Sequence, residues 1–169
     1  MKAFLEERGH DVHALSLVPS NGALGIDGLA EQVKEYADAT FGTAFDLVGF
    51  SMGGIVGRHY LQRLGGLARV RRFLTIGSPH QGTLTGWLRW NTGARQMRRH
   101  SEFLRDLNSD VEMLRTVGFT SIWTPFDLMI LPARSSVIPP AISIRVNTPA
   151  HALLVRDPKV LRLVHQILS

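Results

Sequence analysis

A chain of 169 residues with 44% apolar side chains has the length of one domain and enough apolar material for a substantial core. It has no cysteine, which excludes disulfides and thiolate metal sites, and no apolar run of about 18 residues, which excludes a membrane-spanning helix. The formal net charge is +5, and nine arginines but no acidic residue fall between Asp46 and Glu102. Such a stretch is either a solvated basic face or one drawn to anionic lipid or nucleic acid. No zinc-finger spacing, RNA-binding sheet motif or basic coiled coil accompanies it, so nucleic acid is not an expected partner. The N-terminal MKAFLEERGH is charged and lacks the apolar centre of a signal peptide. The compartment is therefore open, and cytoplasmic if Met1 is the true start.

In chain order, residues 1–8 read as the end of a helix stopped by Gly9. Val12 to Val18 alternates like a strand, and Asn21 to Gly28 reads as a glycine-rich loop. Leu29, Val33, Tyr36 and Ala37 fall at helical spacing. A strand is predicted at 46–50, a helix at about 52–64 ended by Gly65-Gly66, a strand at 70–76 and a loop at 77–83. Phe103, Leu104, Leu107, Val111 and Leu114 predict a helix, and 119–123 and 142–146 predict strands. Asp157-Pro158 is an N-cap followed by proline at the first helical position, opening a C-terminal amphipathic helix. This alternation implies an α/β fold, a mainly parallel sheet with helices on both faces.

One pentapeptide carries chemistry. Gly49-Phe50-Ser51-Met52-Gly53 has the form G-x-S-x-G, with a buried strand before it and a helix directly after. A serine at such a turn is held in a strained backbone conformation that pushes its hydroxyl out of the sheet. Gly49 and Gly53 are expected to allow strand and helix to approach closely. The bland alternative is a tight turn with an exposed serine. The same residues match neither G-x-G-x-x-G nor a P-loop, so dinucleotide and nucleotide binding are not indicated.

A serine nucleophile needs a base, and the base needs an acid to hold its tautomer. In doubly wound hydrolases the chain order is Ser, then Asp or Glu, then His, each just past a strand's C-terminal end. His165 lies inside the last helix, His100 in the basic segment, and His80 has no acid between itself and Ser51. His151, after the final strand, is the expected base; the alternative is a helix-capping histidine. Asp106, Asp110 and Glu112 sit on or beside a surface-like helix. Asp127 follows a strand among Phe126, Leu128, Met129 and Ile130, where a carboxylate needs a partner, so it is the expected acid rather than a turn cap. The N–H of Met52, the residue after the nucleophile, is the expected oxyanion donor.

GFSMGGIVGRHYLQRLGG followed by FLTIGSPHQGT, with TPFDLMILPARSS and NTPAHALLVRDPKVLRLV further on, resembles the bacterial triacylglycerol lipase/esterase branch of the α/β-hydrolase fold. The resemblance spans nearly the whole chain and implies Ser51, Asp127 and His151 as a triad. It implies a structural loop at 78–83 and a cap or lid at about 84–110, within one domain over 1–169, with Trp87, Trp90 and Met97 facing acyl chains. Core packing is the alternative for those side chains. It further implies hydrolysis of a small-molecule or lipid ester without metal or organic cofactor, and leaves open peripheral contact with an anionic lipid surface. A thioesterase, acyltransferase or perhydrolase would share the elbow and triad, and an impaired hydrolase serving as an interaction module would share the fold. The sequence departs from the family at its start. The strand carrying a His-Gly oxyanion loop, which in the family lies between the strands expected at 12–18 and 46–50, is not found. Either the natural chain starts upstream of Met1, the favoured account because a charged half-helix is an odd start, or the flanking strands pair in a shortened sheet.

Overall fold

The computed structural model describes residues 1–19 and 23–169. Among these residues four strands, β1 (Phe45–Phe50), β2 (Val70–Ile76), β3 (Gly118–Trp123) and β4 (Ile142–Arg145), pair in parallel in the order β1-β2-β3-β4. Among the described residues six α-helices surround them: α1 (Lys2–Glu6), α2 (Gly25–Thr40), α3 (Met52–Arg63), α4 (Thr92–Gln96), α5 (Glu102–Ser109) and α6 (Pro158–Leu168). None of the described helices is long and apolar enough to cross a membrane.

The sheet has a core on each face because successive strand side chains point to opposite sides. From β2, Phe73 joins Ile26, Leu29, Ile55, Tyr60 and Leu107 under α2, α3 and α5. Its neighbours Leu74 and Ile76 join Leu5, Ile122, Val160 and Val164 under α1 and α6. Near-continuous apolar character in β2 is what a strand covered on both faces requires. The α6 start follows the sequence signal: the Asp157 side chain accepts from Lys159 N at 2.8 Å, and Pro158 occupies the first helical turn.

Three expectations fail. Residues 12–18 are not a strand among the described residues. Their alternating pattern has no partner strand, and isolated extended chain gains nothing from pleat periodicity alone. Side chains hold the segment instead: Gln32 Oε1 accepts from Val18 N at 3.0 Å, and His13 Nδ1 meets the Tyr36 hydroxyl at 2.8 Å. The outer edge of β1 accordingly has no strand partner among the described residues, and most of β1 is only half-buried. The loop expected at 21–28 ends early, because α2 starts at Gly25, whose φ of +85° suits glycine; its Asn21 and Gly22 lie outside the described residues. The helix expected over 103–114 divides into α5 and a 3-10 turn, Val111–Thr116.

Candidate active site

Ser51 is the hinge between β1 and α3. Its φ is +54° and ψ −124°, a region that few non-glycine residues enter. The backbone is held there from both sides: Ser51 N donates to Ile76 O at 2.9 Å, extending the β1–β2 ladder, and Gly54 N donates to Ser51 O at 3.1 Å. A Cβ at Gly49 would lie 2.6 Å from Gly53 O and Gly54 Cα, so strand and helix pack backbone to backbone. The matching expectation for Gly53 is wrong, since a Cβ there meets nothing within 4 Å. Gly54 does the second job: a Cβ on it would lie 2.6 Å from Ser78 Cβ, on the loop after β2. Met52 is the first residue of α3, so its N–H has no intrahelical acceptor.

Asp127 and His151 come together from the loops after β3 and β4. Asp127 is buried, and its Oδ1 accepts from Met129 N at 2.9 Å and Ile130 N at 2.8 Å. Its Oδ2 lies 2.7 Å from His151 Nδ1. An ionised carboxylate only accepts, so the neutral tautomer that suits this contact carries its proton on Nδ1 and keeps its lone pair on Nε2. The imidazole also stacks on Phe50, the residue before Ser51, at 4.8 Å between centroids. No hydrogen bond joins the Ser51 hydroxyl to His151 among the described residues; Phe50 is the bridge between them.

Sequence reasoning missed the residues that seat this pair. Gly77, φ +55°, makes room: a Cβ on it would sit 3.2 Å from His151 Nδ1 and Cε1 and 2.9 Å from Leu154 Cδ1. Its place directly after an apolar strand was the available signal. Thr124 Oγ1 donates to Thr148 O at 2.6 Å, and Thr148 Oγ1 donates to Asp157 Oδ2 at 2.6 Å, tying the acid loop, the histidine loop and the start of α6 together. The Thr148 hydroxyl and then the Lys159 amide hold the Asp157 carboxyl below its usual range.

The rival groups are engaged elsewhere. Asp106 and Asp110 bind Arg63, and Glu112 binds Arg115. His165 Nδ1 meets His10 Nε2 at 2.8 Å, and His100 is exposed. His80 is fully buried with Nε2 2.9 Å from the Thr75 hydroxyl, and burial pushes its ring well below the usual histidine range. Beside it Arg58 is fully buried, with no carboxylate contact among the described residues; it donates to Gln62, Asn108 and the carbonyls of Leu107 and His80, and burial lowers it to about 10. Among the described residues no group of three or more His, Asp or Glu is placed to hold a metal ion.

Trp87 and Trp90 are 59% and 85% exposed. Arg98 lies over both rings, its Cζ 4.2 Å and 6.0 Å from their centroids. Met97 instead packs against the core under α2 and α3. The turn carrying Trp87 is bound to the loop carrying Asp127: Leu84 N donates to Leu131 O at 2.9 Å and Thr85 Oγ1 to Met129 O at 2.6 Å.

A parallel sheet with a strained serine between strand and helix, and an Asp–His pair at the same end, is the architecture of an α/β-hydrolase. The palmitoyl protein thioesterase family matches residues 5–92, and the chain belongs to that family. The match includes Ser51 and the loop after β2 but ends before Asp127 and His151. No curated protein sequence matches the chain. Among solved structures, mature Bacillus licheniformis lipase BlEst2 is similar over 100% of this chain and 83% of its own, at 16% identity and a TM-score of 0.74. Aspergillus fumigatus lipase B is similar over 88% of this chain and 42% of its own, at 18% identity and 0.69. The type II thioesterase BorB of the borrelidin biosynthetic cluster is similar over 85% of this chain and 70% of its own, at 16% identity and 0.50.

Proposed function

We propose that the chain is a serine hydrolase of carboxylic esters. The observation that carries this reading is the positive φ of Ser51 at the β1–α3 junction, at the same end of the sheet as the Asp127–His151 pair. Ser51 Oγ attacks the acyl carbonyl while His151 Nε2 takes its proton, and Asp127 holds the imidazole and stabilises its charged form. The Met52 N–H donates to the developing oxyanion. The leaving group departs with the proton from Nε2, and water then hydrolyses the acyl-enzyme by the same route. Residues 84–110 act as the cap over this end of the sheet. Trp87 and Trp90, with Phe126, Leu128 and Met129 on the adjoining loop, form its apolar outer surface, and Arg89 and Arg95, which have no ion pair among the described residues, draw that surface to anionic lipid.

A second reading, thioester rather than oxygen-ester cleavage, is favoured by the family match. The test is hydrolysis of an oxygen ester and a thioester of equal acyl length by wild type and Ser51→Ala. Loss of about 10⁴-fold or more on both is expected for a unit that acts together, and the wild-type ratio of the two kcat/KM values selects the substrate class. Undiminished hydrolysis by purified Ser51→Ala would remove the assignment.

A further inference from the structure

Beside the loop after β2 lies a cavity of about 280 Å³ lined by Arg99, His100 and Arg105 together with Gln81, Asn108 and an apolar floor that includes Leu104. Three features make it a built site. Its lining holds no carboxylate. Among the described residues Arg99 and Arg105 have no ion pair, while Arg63, Arg69, Arg71 and Arg72 are all paired with aspartates. The acids of α5 do not face it: Glu102 and Asp106 line a different cavity, and Asp106 is bound to Arg63.

Arg99, His100 and Arg105 are exposed at the cavity mouth, and the backbone that carries Arg99 and His100 is fixed. A Cβ on Gly82 would lie 2.6 Å from Arg99 Cα and 2.7 Å from Arg99 N, so only glycine lets the 98–99 backbone lie on the β2 loop. Thr83 N donates to Met97 O at 2.8 Å and fixes the same segment. His100 follows at φ +61°, left-handed backbone that a non-glycine residue adopts at some cost. Leu104 and Asn108 of α5, with Val111 of the 3-10 turn after it, then line the cavity. Behind that face Arg58 donates to Asn108 Oδ1 at 2.9 Å, adding a buried positive charge to the wall.

Guanidinium groups with no carboxylate to satisfy them match phosphate oxygens in geometry and charge. A cavity of about 280 Å³ has room for a phosphate or diphosphate group. The cavity is at the catalytic end of the sheet: Gln81 lies three residues beyond Ser78, which packs against Gly54 at the start of α3. We propose that this cavity binds a phosphate or diphosphate group and, resting on the hydrolase reading, that it is the handle for the phosphate-bearing part of an acyl donor.

The binding test uses the full chain carrying Ser51→Ala, so that turnover cannot interfere, and measures inorganic pyrophosphate by calorimetry at fixed ionic strength. Arg99→Gln with Arg105→Gln should weaken binding at least tenfold, with the urea midpoint unchanged, and Arg162→Gln on the exposed face of α6 should not. Equal binding by all three proteins, or an equal response to chloride, would overturn the site. In the Ser51-containing protein, the same double substitution should raise about tenfold the ratio of KM for an acyl coenzyme A to KM for a neutral ester of equal chain length. An unmoved ratio beside lost pyrophosphate binding would overturn the handle; capture of phosphatidic acid vesicles by wild type but not the double variant would then identify a lipid head group as the source. If Ser51 is not a nucleophile, neither substrate turns over while pyrophosphate still binds, so the two readings fail separately.

Discussion

Gly49 and Gly53 flank the candidate nucleophile symmetrically in the sequence but not in space. At Gly49 a methyl group would lie 2.6 Å from two backbone atoms of the α3 first turn, about 0.8 Å short of the 3.4 Å where ordinary contact begins. Neither neighbour can rotate away, because both are main chain. Gly49→Ala must therefore push β1 and α3 apart, and overpacking of this kind costs about 1–3 kcal/mol; with backbone on both sides the upper end is expected. At Gly53 the methyl group meets open space, and alanine is a better helix former than glycine by up to about 1 kcal/mol. The two variants should thus differ by roughly 4 kcal/mol, or about 8–16 °C in Tm for a chain of this size. Urea titration monitored by circular dichroism, with equal m-values, gives the difference directly. Equal midpoints, or a Gly53→Ala protein less stable than wild type, would refute the packing argument. In the functional reading Gly49→Ala should also lower turnover by about 10²-fold, because a displacement near 1 Å at the nucleophile suffices for that.

Other outcomes follow from the same structure. Burial holds His80 neutral in the folded protein, whereas the unfolded chain binds a proton near pH 6.5, so its contribution is complete above that pH and is lost as pH falls. Urea midpoints at pH 7.5, 6.5 and 5.5 should show wild type losing up to about 1.4 kcal/mol per pH unit more than His80→Gln below pH 6.5; parallel curves would contradict the assignment. Trp90→Ser combined with Leu128→Ser should reduce sedimentation with phosphatidylglycerol vesicles about tenfold, and 0.5 M salt should weaken wild-type binding to the same vesicles. Equal partitioning into neutral and anionic vesicles would show that the arginines of this surface play no part.

The sequence was informative where a signal is local. The strand–serine–helix junction is written in a few adjacent residues, and Asp127 and His151 stand out because each follows a strand and each needs the other. The Asp157-Pro158 start of α6 is likewise a short-range cap. What depends on a partner was not legible. Alternation at 12–18 could not report that no described strand lies beside it. The difference between Gly53 and Gly54 depends on Ser78, which only the fold brings to α3. The seat that Gly77 provides for His151 joins residues far apart in the chain, and so does the cavity that Arg99 and Arg105 line beside the β2 loop.

The central claim is that Ser51 is an activated nucleophile, and covalent labelling tests it most directly. Wild type, Ser51→Ala and His151→Ala should be treated with a fluorophosphonate, and the adduct measured by intact mass and located by peptide mapping. One phosphonyl group on Ser51 in wild type, none in Ser51→Ala and much slower labelling in His151→Ala is the predicted result. An unlabelled wild type, or labelling that persists in Ser51→Ala, would contradict it.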